Sequence, residues 1–160
     1  MTIESVITDD KEAFEYVTKK LINQSAKSMK EADTCAYRGY TPDVITSVKT
    51  KLKGNDDRDV TEIALWHELK NVESNARCAV GHLISDERYY RDLEGSSINP
   101  TVFQVVLNSN PEWKISDNTW KMLMDLQTVH DGFQPHQWSE KFELFKFDKN
   151  NNYISIRRDL

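Results

Sequence analysis

Two cysteines sit in short segments of similar make-up, Cys35-Ala36-Tyr37-Arg38-Gly39 and Arg77-Cys78-Ala79-Val80-Gly81-His82. If the segments run side by side, the two thiols lie close together. With His82 and His130 they would form a Cys2His2 set of the kind tetrahedral zinc accepts. The spacing argues against this. Cys78 and His82 are the one Cys–His pair four apart, and the chain has no C-x-x-C knuckle. Cys35, Cys78 and His82 are therefore weak metal candidates, and the expectation is a protein without metal or other cofactor. The plainer reading is two small, reduced thiols that pack much as alanine does.

A second group carries acid and base chemistry. Asp86, Tyr90 and Glu94 stand at i, i+4 and i+8, so a helix there would align them on one face. His130-Asp131 falls at the end of another expected helix. Joined by Tyr37, Arg38 and His82, these residues could line one polar pocket. A carboxylate and an imidazole are what proton transfer needs, which makes His130, Asp131 and Glu94 the catalytic candidates. The plainer reading is structural. Asp86 in a first helical turn complements the helix dipole, and Glu94-Gly95 simply ends the helix. Nucleophile elbows, P-loops, G-x-G-x-x-G turns and H-E-x-x-H pairs are all absent from the sequence.

The elements that must position these residues are mostly helical. Asp9 and Glu12 open a helix over about 10–28, with Phe14, Val17, Leu21 and Ile22 on its apolar face. Thr41-Pro42 and Gly54 bracket a second helix, and Asp59 with Glu62 starts a third that carries Ile63, Trp66 and Leu69. Residues 41–71 then form a helical hairpin; a β-hairpin is the rival, because the Val- and Ile-rich runs tolerate strands. Ser85 caps a helix reaching Gly95, Asn99-Pro100 starts another, and Ser116 opens one that ends at Gly132. A last helix covers about 136–147. Asn150-Asn151-Asn152 is a turn, followed by alternation over Tyr153–Ile156.

Composition sets the outer limits. The 160 residues suit one domain with a real core, and 38% apolar with 29% charged residues is ordinary for a globular chain. The fold class expected is mainly α (α+β possible), with five or six helices and a short β-hairpin at the cysteine segments. A net charge of −5 disfavours general nucleic-acid binding, although Arg88, Arg91, Arg157 and Arg158 could still form a local basic patch. No apolar run approaches the length that crosses a bilayer, so no membrane partner is expected. The opening MTIESVITDDKE lacks the basic and apolar regions of a secretory signal, so export is not expected.

The ordered motifs resemble a family of small uncharacterised proteins of tailed phages and prophages. They are Cys35-Ala36-Tyr37-Arg38, Cys78-Ala79-Val80-Gly81, Leu83-Ile84, Asp86 and Tyr90, Glu94-Gly95, Leu126-Gln127, Val129-His130-Asp131 and Trp138. The likeness runs over about 10–147, except for the middle. The resemblance implies a phage or prophage source and a host cytoplasm, and it brings no activity with it. It also implies a tight link between the two cysteine segments. Here residues 40–76 intervene, and read as an insert within a single domain. A protruding helical hairpin with Trp66 suits protein contact, since tryptophan anchors interfaces. The leading expectation is thus an accessory protein that binds a host protein in takeover or anti-defence. The alternatives are a small-molecule or nucleotide-binding module, and a small hydrolase-like enzyme using His130, Asp131 and Glu94.

Overall fold

The structure is a computed structural model that describes residues 6–30, 34–54, 60–94 and 98–156, with side chains at all of these except 29, 30, 34, 35 and 62. It is mainly α-helical. In chain order the elements are α1 (Asp10–Gln24), β1 (Met29–Lys30), β2 (Thr34–Cys35), α2 (Pro42–Lys53), α3 (Glu62–Leu69), α4 (Pro100–Ser109), α5 (Thr119–Gly132), α6 (Trp138–Phe142), β3 (Phe145–Phe147) and β4 (Tyr153–Ile156). Single 3-10 turns cover Val80–Leu83, Arg91–Leu93 and Pro135–Gln137. No helix among the described residues is long and apolar enough to cross a membrane.

Helix α1 starts where the sequence places it. Asp9 is the N-cap, and its carboxylate accepts the Glu12 N–H at 2.8 Å. Ala13, Val17 and Leu21 recur at helical spacing and are buried. Ile22 is exposed instead, one position off the buried stripe. The helix ends at Gln24, short of the expected 28, because Ser25 turns left-handed at φ 54 and its N–H closes on the Leu21 carbonyl.

The main core gathers α1, α4, α5 and α6 around the buried turn Val80–Leu83. It is filled by Val17, Leu21, Val80, Leu83, Val102, Val106, Leu123, Leu126 and Trp138, among others. One corner is aromatic. Phe14 stacks on Phe145 at 5.0 Å, and Phe142, Phe147 and Tyr153 complete the group.

The N-terminal end of α1 is tied to the far end of the chain by Asp10. This wholly buried carboxylate accepts from Trp113 Nε1 at 3.0 Å, Ser116 Oγ at 2.6 Å, Thr119 Oγ1 at 2.7 Å and the Tyr153 N–H at 3.0 Å. A buried carboxylate is costly unless hydrogen-bonded, and four donors meet that requirement.

The expected helical hairpin is present. Helices α2 and α3 pack on each other around their own small core of Val48, Leu65 and Leu69. Gly54 ends α2 at φ 55, as the Gly C-cap predicts. The helix expected to open at Asp59 starts from Thr61, whose hydroxyl accepts the Ala64 N–H at 3.2 Å. Asp59 itself lies outside the described residues.

Two expectations are corrected. The helix from Ser85 to Gly95 is a single turn, closed by the Arg88 and Tyr89 N–H groups on the Ser85 carbonyl, after which Tyr90 is extended. Gly95 lies outside the described residues. The reason for the break is tertiary: the Asp86 and Glu94 carboxylates are drawn to the Tyr37-Arg38 segment. The last helix stops at Phe142, because Phe145–Phe147 pairs antiparallel with Tyr153–Ile156 across the predicted Asn turn. Asn151 in that turn takes φ 66. The short antiparallel pairing expected at the cysteine segments is present, as two separate pieces. Cys35 pairs with Met29 in the β1–β2 ladder, and a separate antiparallel bridge joins Gly39 to Ala76.

Candidate functional site

The site grows from the joint between the cysteine segments. Residues 36–39 and 75–78 run antiparallel. The Cys78 N–H donates to the Ala36 carbonyl at 3.1 Å, Gly39 N–H to Ala76 at 2.9 Å, and Ala76 N–H back to Gly39 at 3.1 Å. Gly81 presses on this joint so closely that a Cβ there would lie 2.2 Å from the Tyr37 carbonyl oxygen. No side chain fits that approach, which makes glycine a packing requirement at this position.

Glu94 clamps the same segment from the other side. Its two carboxylate oxygens accept the backbone N–H groups of Tyr37 and Arg38, each at 3.0 Å, and Tyr89 adds its hydroxyl at 2.6 Å. The Arg38 guanidinium lies 4.1 Å above the Tyr89 ring and donates through Nη2 to Asp86 Oδ1. Arg77 reaches the same Asp86 oxygen at 3.0 Å and the Ile84 carbonyl at 3.2 Å. The result is a half-buried network of two arginines and two carboxylates. Burial lowers the affinity of both guanidiniums for protons, but far too little to neutralise them. Tyr89 is raised well above the phenol range by burial and by its bond to Glu94, so it stays a neutral donor. Tyr37 is raised as well, by burial first and then by the surrounding negative groups.

Beyond this network opens a cleft of about 460 Å³. One wall is the helical hairpin and its exit, with Tyr40, Trp66, Leu69, Lys70, Val72 and Ser74. The other is the body, with Arg38, Tyr89, Arg91 and Glu94. Tyr40 is fixed by donating its hydroxyl to the Leu69 carbonyl at 2.7 Å, and its ring centre lies 6.4 Å from that of Trp66. The lining thus combines three cations, one carboxylate and three aromatic rings. The carboxylate already accepts three donors.

The sequence-derived candidates divide. Arg38, Glu94 and Trp66 line the cleft. Asp86 stands behind Arg38, and Tyr37 is buried behind Glu94. Tyr90 is 45% exposed and does not line the cleft; its neighbour Tyr89 does, because the extended backbone at Tyr90 breaks the i, i+4, i+8 alignment. His82 is buried in the core beside Arg77, His130 and Lys20, and burial pushes its pKa down to about 3. His130 is sealed in α5, stacked on Trp138 at 5.3 Å, with Nδ1 2.8 Å from Asp131 Oδ1. Asp131 also accepts from Gln127 at 2.9 Å. The Nε2 atoms of His82 and His130 have no hydrogen-bond partner among the described residues.

The two halves of the catalytic set are therefore held differently. Glu94 serves the cleft wall, while His130-Asp131 belongs to α5. Cys78 is buried, and no group of three or more His, Cys, Asp or Glu among the described residues could hold a metal ion. Of the four arginines expected to form a basic patch, Arg91 lines the cleft, whereas Arg157 and Arg158 lie outside the described residues.

Sequence reasoning missed Tyr40, Lys70, Tyr89 and Arg91 as cleft residues, and Arg77 as the partner of Asp86. The position of Arg77 directly before Cys78, mirroring Arg38 three residues after Cys35, was the available signal. A scan against protein-family models, a search of curated proteins and a search of solved structures return no match.

Proposed function

We propose that the protein is a binding module whose ligand is a small anionic molecule held in the cleft between the helical hairpin and the body. The observation that carries this reading is the charge of the lining. On a chain of net charge −5, the cleft presents the exposed cations Lys70 and Arg91, beside an Arg38 already paired with Asp86 and a Glu94 carboxylate that already accepts three donors. Concave sites that combine apolar and aromatic walls with a few convergent polar groups are the usual form of small-molecule sites. The same geometry weakens the hydrolase-like reading, since His130 is buried in α5 and Glu94 is committed to the joint.

Thermal shift against a panel of phosphates, nucleotides and dicarboxylates tests the proposal. A ligand at a hundred times its Kd stabilises by about 2.7 kcal/mol, which for a chain of this size raises Tm by about 5–10 °C. Lys70→Glu and Arg91→Glu should abolish the shift without unfolding the protein, because both side chains reach solvent. A flat response across the panel would sink the reading.

A protein partner in the cytoplasm of a bacterial host, as the phage resemblance implies, is the second reading. The feature favouring it is Ile63, which stands 86% exposed on α3. Trp66 is not available as a free anchor in the same way, since it faces the cleft beside Tyr40. A host pull-down lost on Ile63→Asp would support this partner; one unaffected by that change would count against it.

A further inference from the structure

We propose that the ligand of the cleft is a nucleoside phosphate, its planar ring lodged against Trp66 and Tyr40 and its phosphate between Lys70 and Arg91. This rests on the anion-binding reading and narrows it. The rings are the reason. A compact anion such as a dicarboxylate would use the cations and leave the Trp66 and Tyr40 rings without a role. Here Tyr40 and Trp66 form one wall while Tyr89, overlain by Arg38, belongs to the other. Aromatic walls accept any base, because every base has a flat π-face.

The cations are arranged for the other end of such a molecule. Arg38 is committed to Asp86 and to the face of Tyr89, so it shapes the wall more than it offers charge. Lys70 and Arg91 are exposed and come from opposite walls. The charge of Arg91 opposes the upward shift that burial gives the Tyr40 hydroxyl, in keeping with both lining the same cleft. A lysine point charge and an arginine fork are the usual pair for phosphate oxygens. The volume of about 460 Å³ is in the range of pockets that enclose a molecule of mononucleotide size.

The test uses the full chain and calorimetric titration with mononucleotides of all four bases, adenosine, inorganic pyrophosphate and succinate. The expected result is that at least one nucleotide binds about tenfold or more tighter than pyrophosphate, and that adenosine alone binds weakly. Binding should quench the fluorescence of Trp66, assigned by its loss in Trp66→Phe. Trp66→Leu should cost about tenfold in nucleotide affinity and leave pyrophosphate binding unchanged. Arg91→Gln, a solvent-exposed change with little risk to folding, should weaken both probes.

Equal affinity for nucleotide and pyrophosphate, untouched by Trp66→Leu, would overturn the ring assignment and leave the anion reading standing. Binding of succinate but of no phosphate would overturn it as well. Failure of every probe would overturn both readings. A 5′-phosphorylated oligonucleotide that binds with the same dependence on Trp66 would support the chemistry and assign the source to a strand end; if only mononucleotides bind, the source is the free nucleotide.

Discussion

The body and the helical hairpin solve the same problem with different resources. The body buries long stripes from α1, α4, α5 and α6 around one continuous core, and Asp10 ties the start of α1 to α5 and β4. Among its described residues the hairpin buries Val48, Leu65 and Leu69, with Tyr40, Val44, Ile45, Val60, Trp66 and Val72 half-covered around them. Its connection to the body is the Gly39–Ala76 bridge, with Asn75 and Thr41 bonded to each other beside it. A region with so small a core is expected to open well before the body does. The cleft lies on the seam between the two, so its two walls are expected to differ in how readily they open.

The sharpest break of this comparison is Asp10→Ala. It strands four buried or half-buried donors, and a loss of about 4 kcal/mol, or about 10 °C in Tm, is expected for the whole body. A cooperative melt that stays near wild type would show that Asp10 does not weld the core. Gly81→Ala comes next. The new Cβ meets the Tyr37 backbone, which Glu94 holds from the other side, so a loss of about 3 kcal/mol is expected by chemical denaturation.

Leu69→Ala tests the hairpin. A loss of about 2–3 kcal/mol is expected, confined to it: hydrogen exchange should quicken across 42–69 and stay unchanged in α1 and α5. If α5 exchanges faster too, the two regions are one cooperative unit.

The smallest effect is a pH dependence carried by His82. Its folded pKa is depressed below the unfolded value of about 6.5, so the unfolded chain binds the proton first as pH falls. Stability should be unaffected above about pH 7 and fall by about 1–2 kcal/mol between pH 6.5 and 5. His82→Gln should flatten this slope relative to the wild type; an unchanged slope would assign it to other groups. Arg77, His130 and Lys20 are the charged or titratable groups that oppose a charge on His82.

Much of the fold could be read locally. Asp9, Thr41-Pro42, Gly54 and Asn99-Pro100 are caps whose effect depends only on neighbours a few residues away, and each lies at a helix end as expected. The failures share a cause. At Ser85–Glu94 the periodicity suggests a helix, but Asp86 and Glu94 bond to Arg38 and to backbone some fifty residues earlier, and those bonds replace the helical ones. The alignment of Asp86, Tyr90 and Glu94 was therefore an alignment on a helix that does not form. Arg38 was legible as a site residue because it flanks a cysteine motif, and Glu94 was named through that same misread spacing. Lys70 and Arg91 were not, because nothing in their own surroundings distinguishes them from any solvated cation.

The sequence by itself determined the helices that caps and apolar spacing define and the Asn turn, and it favoured a helical over a β-hairpin between the cysteine segments. These follow from backbone sterics and from hydrogen bonds that close within a few residues. Only the tertiary structure decided that Gly81 and Glu94 hold the joint between the cysteine segments from two sides, and that Lys70 and Arg91 line opposite walls of one cleft. Those are contacts between residues tens of positions apart, set by how two separately packed regions sit against one another, and no local pattern encodes that distance.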